Sequence, residues 1–288
     1  MDDSIVYLNG HFLPKNEASI SVMDRGFLLA DAIYEVIPVY DGVPLFVDEH
    51  FQRMADNLNT IKIPSPFTLS TLKKTIDSLV KKNKATQVQA IYIQITRGVN
   101  PKRVGYAPCI EPTVFMMLQH SSAKIGQALT GKTAITVENN RWAYCNIKGI
   151  NRLANTLMSE KVYESSADEG IIIDNDNEVL EGIKSNLFIV SNNQLITPKL
   201  SQKILNGVTR QTIINLCQSI LEVKEESINI TQLMQADEIL MTGSISGVTP
   251  ILEVNETSIN NANIGKYAKI INREYTAHIN KVISQYKS

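Results

Sequence analysis

Cysteine is scarce in this sequence of 288 residues: Cys109, Cys145 and Cys217 are three, far apart and in no CxxC pair. That excludes a disulfide framework and a cysteine-built zinc site, and is the usage expected of thiols in a reducing compartment. Histidine is equally thin, with His11, His50, His120 and His278 scattered and at no ligand spacing, so no metal centre is expected. No apolar run approaches the roughly 18 residues that a membrane span requires. Excess charge is missing too. Lys and Arg total 28 against 29 Asp and Glu, a formal net charge of −1, and the pI is about 6.4. Such a chain has no global field for nucleic acid or an anionic membrane, and neither is expected as a partner. The first residues, MDDSIVYLNG, are acidic where a secretory signal would be basic. The expectation is a soluble, cytoplasmic globular protein, without internal repeats or low-complexity segments.

What is present is a chain 43% hydrophobic, long enough for two modest domains. Residues 5–8, then Asn9-Gly10, then 11–13 read as a hairpin with a type I′ turn. An alternating, β-branched run over 32–39 turns at Asp41-Gly42. Over 48–59 the residues Phe51, Met54, Ala55 and Leu58 share one helical face. A second helix is predicted over 70–82, closed by a basic last turn. Strand-like runs follow at 90–96 and 113–118. Residues 119–132 break the apolar pattern and are the expected linker between a small N-terminal domain, 1–118, and a C-terminal domain, 133–288. Beyond it, strands at 133–137, 170–174, 187–190 and 238–241 alternate with helices near 151–166, 209–222 and 264–283. The fold class is α/β or α+β with two domains.

One motif is misleading. Gly126-Gln-Ala-Leu-Thr-Gly131-Lys132-Thr133 fits the nucleotide-binding pattern GxxxxGK[ST]. Phosphate binding by that loop needs a helix N-terminus directly after it. Here a β-branched run, Ala134-Ile-Thr-Val137, follows instead, so a P-loop nucleotide-binding protein is a poor reading.

Lys148 stands in Trp142-Ala-Tyr-Cys-Asn-Ile147-Lys148-Gly149, a mostly uncharged, aromatic-rich stretch before a helix. That helix sets Leu153 and Leu157, and Ala154, Met158 and Val162, at i, i+4 spacing and is expected to pack them inward. A lysine desolvated at its entrance has a lowered pKa and a nucleophilic amine. From these residues alone, a surface lysine and a reactive one remain equally open.

The wider pattern resembles the class IV aminotransferases, pyridoxal 5′-phosphate (PLP) enzymes of fold type IV. The resemblance rests on ordered motifs along nearly the whole chain. They are Asp24-Arg25-Gly26-Phe27 with Tyr34-Glu35-Val36, Glu49-His50-x-x-Arg53, Thr96-Arg97-Gly98, Cys145-Asn-Ile-Lys148, Glu181-Gly182-x-x-Ser185-Asn186, Asn206-Gly207-Val208-Thr209-Arg210, and Thr249-Pro250. It implies a two-domain fold with the cofactor in a cleft and a homodimer in which a small domain serves the neighbouring site. Lys148 then matches the Schiff-base lysine, and Glu181 the acidic partner of the pyridine nitrogen. Arg53 matches the phosphate-binding arginine; Val208 and Thr209, opening a helix after Gly207, and Gly243 and Ser244, in a turn after a strand, are expected to add amide and hydroxyl donors for the phosphate. Tyr34 matches a tyrosine on the substrate side.

Within the family the sequence is similar to D-amino-acid transaminase at Tyr34-Glu-Val-Ile-Pro-Val-Tyr40 and Arg141-Trp142. It is similar to 4-amino-4-deoxychorismate lyase, which makes 4-aminobenzoate and pyruvate, at Asn151-Arg152-Leu153 and Gln235-Ala-Asp-Glu238. The transaminase binds its substrate carboxylate with an Arg and a His after a Thr-Arg-Gly-x-x-Pro run. This chain has Pro101-Lys102-Arg103-Val104-Gly105-Tyr106 and lacks the His. Arg103 is the better replacement, since its planar fork binds a carboxylate bidentately, with Lys102 the alternative. Lys184, where the family often has a small hydroxyl residue, is a second source of positive charge. D-amino-acid transamination is the expected activity and the lyase reaction the alternative.

Overall fold

Asn9 and Gly10 both take positive φ, 47° and 93°, as a type I′ turn requires. They fold β1 (Ile5–Leu8) back on β2 (His11–Pro14) in antiparallel register. Asp41 and Gly42, at 49° and 76°, do the same between β3 (Ala32–Tyr40) and β4 (Val43–Pro44). The structure is a computed structural model that describes residues 4–85, 88–108, 111–120 and 128–287. Cys109, residues 121–127 of the expected linker, and with them Gly126 of the P-loop-like run, lie outside the described residues.

The described chain divides into two compact units. In the first, β1–β4 join β5 (Gln89–Thr96) and β6 (Thr113–His120) in a six-stranded antiparallel sheet of order β2-β1-β6-β5-β3-β4. A short helix, α1 (Arg25–Leu29), precedes β3, and α2 (Val47–Thr60) and α3 (Leu69–Lys82) follow. Thr68 caps α3 by a reciprocal exchange with Thr71. Met54 and Leu58 of α2 and Leu72 and Ile76 of α3 bury against Ile33, Ile37, Ile91 and Ile93 of the sheet. Each such side chain contributes about 1.5–3 kcal/mol on leaving water. Period-two alternation puts Ile33, Glu35 and Ile37 on this core face of β3, and Tyr34 and Val36 on the other.

The chain leaves this unit near residue 122 and returns to it for five residues, Ile147–Asn151. Ile147 is buried in the same core. Tyr34 N donates to Lys148 O, Ile150 N donates to Ala32 O, and Ile33 bridges Gly149. The lysine segment is thus stitched to the start of β3, not to the strands that precede and follow it in sequence.

The second unit is built on a ten-stranded mixed sheet. Its strands are β7 (Lys132–Glu138), β8 (Glu169–Ile173), β9 (Glu178–Gly182), β10 (Asn186–Ser191), β11 (Gln194–Thr197), β12 (Glu222–Glu225), β13 (Ile228–Asn229), β14 (Glu238–Gly243), β15 (Gly247–Val254) and β16 (Thr257–Ser258). They run in the order β12-β11-β10-β14-β15-β7-β8-β9-β13, with β16 on β15. The pairs β7–β8, β7–β15 and β11–β12 are parallel. Lys132 of the P-loop-like run opens a strand. The helices are α4 (Leu153–Glu164), α5 (Val208–Cys217), α6 (Ile230–Met234) and the long α7 (Lys266–Lys287). The helix expected over 209–222 stops at Cys217, and residues 222–225 instead pair with β11. Among the described residues no helix is long and apolar enough to cross a membrane.

α4 departs from the expected packing. Met158 and Val162 bury against Val137 and Ile172, but Leu153 and Leu157 are 73% and 53% exposed. The helix is turned by Asn155, whose buried amide donates to Ile183 O at 2.9 Å. That bond puts the Asn155–Met158–Val162 line inward and leaves the two leucines outside.

Candidate active site

In the first unit, Lys148 is half-buried and its Nζ lies 4.4 Å from the centroid of the Tyr34 ring, in cation–π range. Tyr34 is in turn stacked on Tyr92 of β5, with centroids 5.7 Å apart. The amine is therefore presented on a two-ring aromatic platform, on the face of β3 opposite the core.

Arg53, three residues after His50 on α2, turns toward Glu35 on the core face of β3. Its Nε donates to Glu35 Oε1 at 2.8 Å and its Nη2 to Oε2 at 2.7 Å, a bidentate pair. His50 Nδ1 lies 2.7 Å from Oε2. Burial alone would raise the Glu35 carboxyl, but the Arg53 charge and hydrogen bonds, with those of His50, hold it well below the usual carboxylate range. Burial pushes the His50 imidazole down from its ordinary value, partly opposed by Glu35. A neutral His50 donates from Nδ1, and its Nε2 is buried without a partner. The sequence singles out Arg53 for a phosphate but does not announce Glu35, to which it is paired here, or His50. The i, i+3 spacing of His50 and Arg53 is the available signal.

In the second unit, Glu181 of β9 is buried and held on both oxygens. Arg141 Nη1 donates to Oε1 at 2.6 Å, while Asn186 Nδ2 and Leu205 N donate to Oε2, each at 3.2 Å. Asn186 also donates to Leu205 O, so the chain just before α5 is wrapped around the carboxylate. Gly207 is required there, since a Cβ would meet Asn186 Oδ1 at 1.9 Å. Gly207 is the N-cap of α5 and provides no side-chain cap. The amides of Val208 and Thr209 in the first turn thus form an open, positively polarised helix end. The buried Thr209 hydroxyl faces the Tyr275 phenol. Thr242 Oγ1 is buried and unpartnered, directly before Gly243 and Ser244 at the β14–β15 turn. Arg141 and Asn186 stand within the sequence motifs, but nothing in those motifs assigns them to Glu181.

Lys184 is exposed on the turn after β9. Its charge acts on Glu169, whose carboxyl burial pushes up and whose Oε2 accepts from Ser185 Oγ at 3.1 Å. Lys102 and Arg103 are exposed in the first unit, on the segment 101–108 between β5 and β6.

Comparison with known proteins gives the same frame. Residues 32–254 match the family model described as Amino-transferase class IV. A D-alanine aminotransferase of Bacillus licheniformis is 31% identical over 281 residues, covering 97% of this chain and 98% of that protein. A putative branched-chain-amino-acid aminotransferase of Methanocaldococcus jannaschii is 31% identical over 277 residues, 94% of each. The crystal structure of a T.th. branched-chain amino acid aminotransferase with pyridoxamine 5′-phosphate is similar with a TM-score of 0.86 at 24% identity, covering 96% of this chain and 93% of that one. The chain belongs to the class IV aminotransferase family, and its mixed two-sheet fold is the one that family membership implies.

Proposed function

We propose that this aminotransferase moves the amino group of D-amino acids, such as D-alanine, to 2-oxoglutarate with pyridoxal 5′-phosphate as cofactor. The observation that carries the cofactor in this reading is the continuous construction of Glu181 and the uncapped end of α5. Asn186 and Leu205 N hold the carboxylate, and Gly207 opens the helix two residues later. A carboxylate and an anion-binding helix end built as one piece suit a ligand with a basic ring nitrogen at one end and a phosphate at the other. The uncapped amides, the buried Thr242 hydroxyl without a partner and the Thr209 hydroxyl beside the Tyr275 phenol fit the phosphate. Val208, Thr209, Gly243 and Ser244, with Arg53 from the first unit, are the residues we assign to it.

When bound, PLP supplies an aldehyde for the amine and a protonated ring that withdraws the electron pair left at the substrate Cα. The chain's own residues supply the rest. Lys148 would hold the cofactor, and its free amine would move the proton taken from the substrate Cα. Glu181 would pair with the ring nitrogen, its carboxylate oriented by Arg141. Tyr34 lines the substrate side. Arg103, with Lys102 as the alternative, binds the substrate carboxylate, and Lys184 favours acidic side chains.

The 31% identity with the Bacillus licheniformis enzyme supports the D-amino-acid assignment. The equal identity with the Methanocaldococcus jannaschii protein supports branched-chain amino acids as a second reading. We also propose a cytoplasmic homodimer; Phe27, Val99, Tyr106, Leu153 and Leu157 are large apolar side chains exposed on the single chain. Purified enzyme is supplied with D-alanine or L-leucine and 2-oxoglutarate, and separately with aminodeoxychorismate. D-glutamate formed from D-alanine is the expected product. Turnover of L-leucine alone, or release of 4-aminobenzoate, would replace the D-amino-acid reading. Sedimentation at micromolar concentration tests the dimer.

A further inference from the structure

Arg25 is a cation only 4% exposed, and the reaction outlined above makes no use of it. Its base is fixed from several sides. Arg25 N donates to Gly98 O, and the Asp24 carboxylate accepts from Gly26 N and from Thr96 Oγ1. Gly26 admits no side chain, since a Cβ would meet Thr96 Cγ2 at 2.4 Å. The guanidinium Nε donates to Asp31 Oδ2 at 2.8 Å, and the same oxygen accepts from Arg97 Nε at 2.8 Å. Arg97 is itself tied to Ile61 O and Lys62 O.

The outer edge of the Arg25 fork reaches a second partner, although Nη2 also stands 2.8 Å from Asp31 Oδ2. Nη1 donates to Val104 O at 2.7 Å and Nη2 to Gly105 O at 2.9 Å. These are successive carbonyls in segment 101–108, which is exposed but for Ala107. The segment's other hydrogen bonds are local, Lys102 N to Asn100 Oδ1 and Val104 N to Lys102 O. Two successive carbonyls gripped by one planar guanidinium hold the backbone at Val104 and Gly105, directly after Arg103, against the Arg25–Asp31–Arg97 group. An ammonium group is a point donor and has no such planar fork.

We propose that Arg25 is a positioning residue for substrate recognition: its fork holds segment 101–108 so that Arg103 meets the substrate carboxylate. The proposal rests on the reading of Arg103 given above. It assigns a function to the Asp-Arg-Gly motif that neither cofactor binding nor proton transfer requires.

The test compares the holoenzyme with Arg25→Lys, Arg103→Ala and the double variant. Arg25→Lys is expected to raise KM for the 2-oxo acid about tenfold while kcat changes by less than about twofold. The absorbance of the bound cofactor stays as in the parent. Hydrogen exchange at amides 102–107 accelerates, while that of β3 and β5 does not. The double variant is expected to resemble Arg103→Ala alone, because both changes remove one interaction. Additive effects, an unchanged KM with a lowered Tm, or unchanged exchange in the loop would each overturn the proposal. If Arg103→Ala leaves KM unchanged while Arg25→Lys frees the loop, the carboxylate reading of Arg103 is what fails, and the positioning role falls with it. Should Arg25→Lys not fold, two glycines inserted between Val104 and Gly105 separate the gripped carbonyls and leave Arg25, Asp31 and Arg97 intact. The same rise in KM is then expected, and its absence overturns the proposal.

Discussion

Arg141 Nη1 stands 2.6 Å from Glu181 Oε1, and each side chain is 7% exposed. Arg141 is itself positioned, through Nε to Asn139 Oδ1 and through Nη2 to Lys203 O. Removing one partner of a buried pair is costly because the other charge stays behind. Arg141→Ala is expected to destabilise the fold by about 3–5 kcal/mol. Glu181→Gln keeps the shape but leaves the buried Arg141 without its counter-charge, so it destabilises the fold as well; it also weakens the partner of the ring nitrogen and should cut kcat by roughly 10²-fold. Denaturant unfolding and steady-state kinetics check the two effects separately. A Glu181→Gln enzyme with parental kcat would remove Glu181 from its assigned role.

Lys148→Ala should abolish the visible absorbance of the lysine-bound cofactor and lower turnover by at least about 10²-fold. Tyr34→Phe keeps the ring beneath the amine, and with it the cation–π contact at 4.4 Å. The absorbance band is expected to survive that change. Its loss in Tyr34→Phe would mean that the hydroxyl, not the ring, organises Lys148.

The group Glu35, His50 and Arg53 makes stability depend on pH. The Glu35 carboxyl lies below its ordinary value of 4.5 in the folded chain, and His50 below 6.5. Both therefore bind fewer protons folded than unfolded in the interval between the two values, and stability falls as pH falls. The first loss sets in below pH 6.5, where unfolded His50 takes a proton, and the second below pH 4.5, where unfolded Glu35 does. Glu35→Gln leaves Arg53 without its counter-charge and should cost about 3–5 kcal/mol at pH 7. It also removes the second stage. Urea unfolding at pH 7, 5.5 and 4 checks this; equal slopes for parent and variant below pH 4.5 would contradict it.

Gly207→Ala introduces a Cβ 1.9 Å from Asn186 Oδ1. Either Asn186 releases Glu181 or the start of α5 moves, and both disturb the assigned cofactor site. Cofactor retention on dialysis should fall, with an apparent Kd raised about tenfold, roughly 1.4 kcal/mol. Unchanged retention would show that α5 does not serve the phosphate.

The sequence discloses those features whose cause is local. Asn9-Gly10 and Asp41-Gly42 identify their hairpins because few other pairs accept positive φ twice. The face of α2 is legible from Met54 and Leu58. α4 misleads because two i, i+4 lines, Leu153–Leu157 and Ala154–Met158–Val162, lie side by side on one helix. The choice between them falls to Asn155, through a carbonyl 28 residues away. Glu35 escapes notice for a similar reason. A carboxylate between Ile33 and Ile37 on a core face is tolerable only with Arg53, 18 residues later, and nothing near Glu35 announces that partner. Ordered motifs mark Lys148, Glu181 and Arg53 as candidates, whereas the contacts of Arg141 and Asn186 with Glu181, and of His50 with Glu35, arise only in three dimensions.

The brief return of Ile147–Asn151 to the first sheet bears on how this gene can be divided. A cut at residues 119–132 would produce an N-terminal fragment without Lys148. It would also strip Ile147 from that fragment's core and leave Tyr34 N without Lys148 O. The C-terminal fragment would carry the lysine on a strip whose docking strand is gone. Split versions and domain-exchange chimeras of this enzyme therefore need residues 147–151 copied or kept with the first 120, because the two units are not separable modules along the chain.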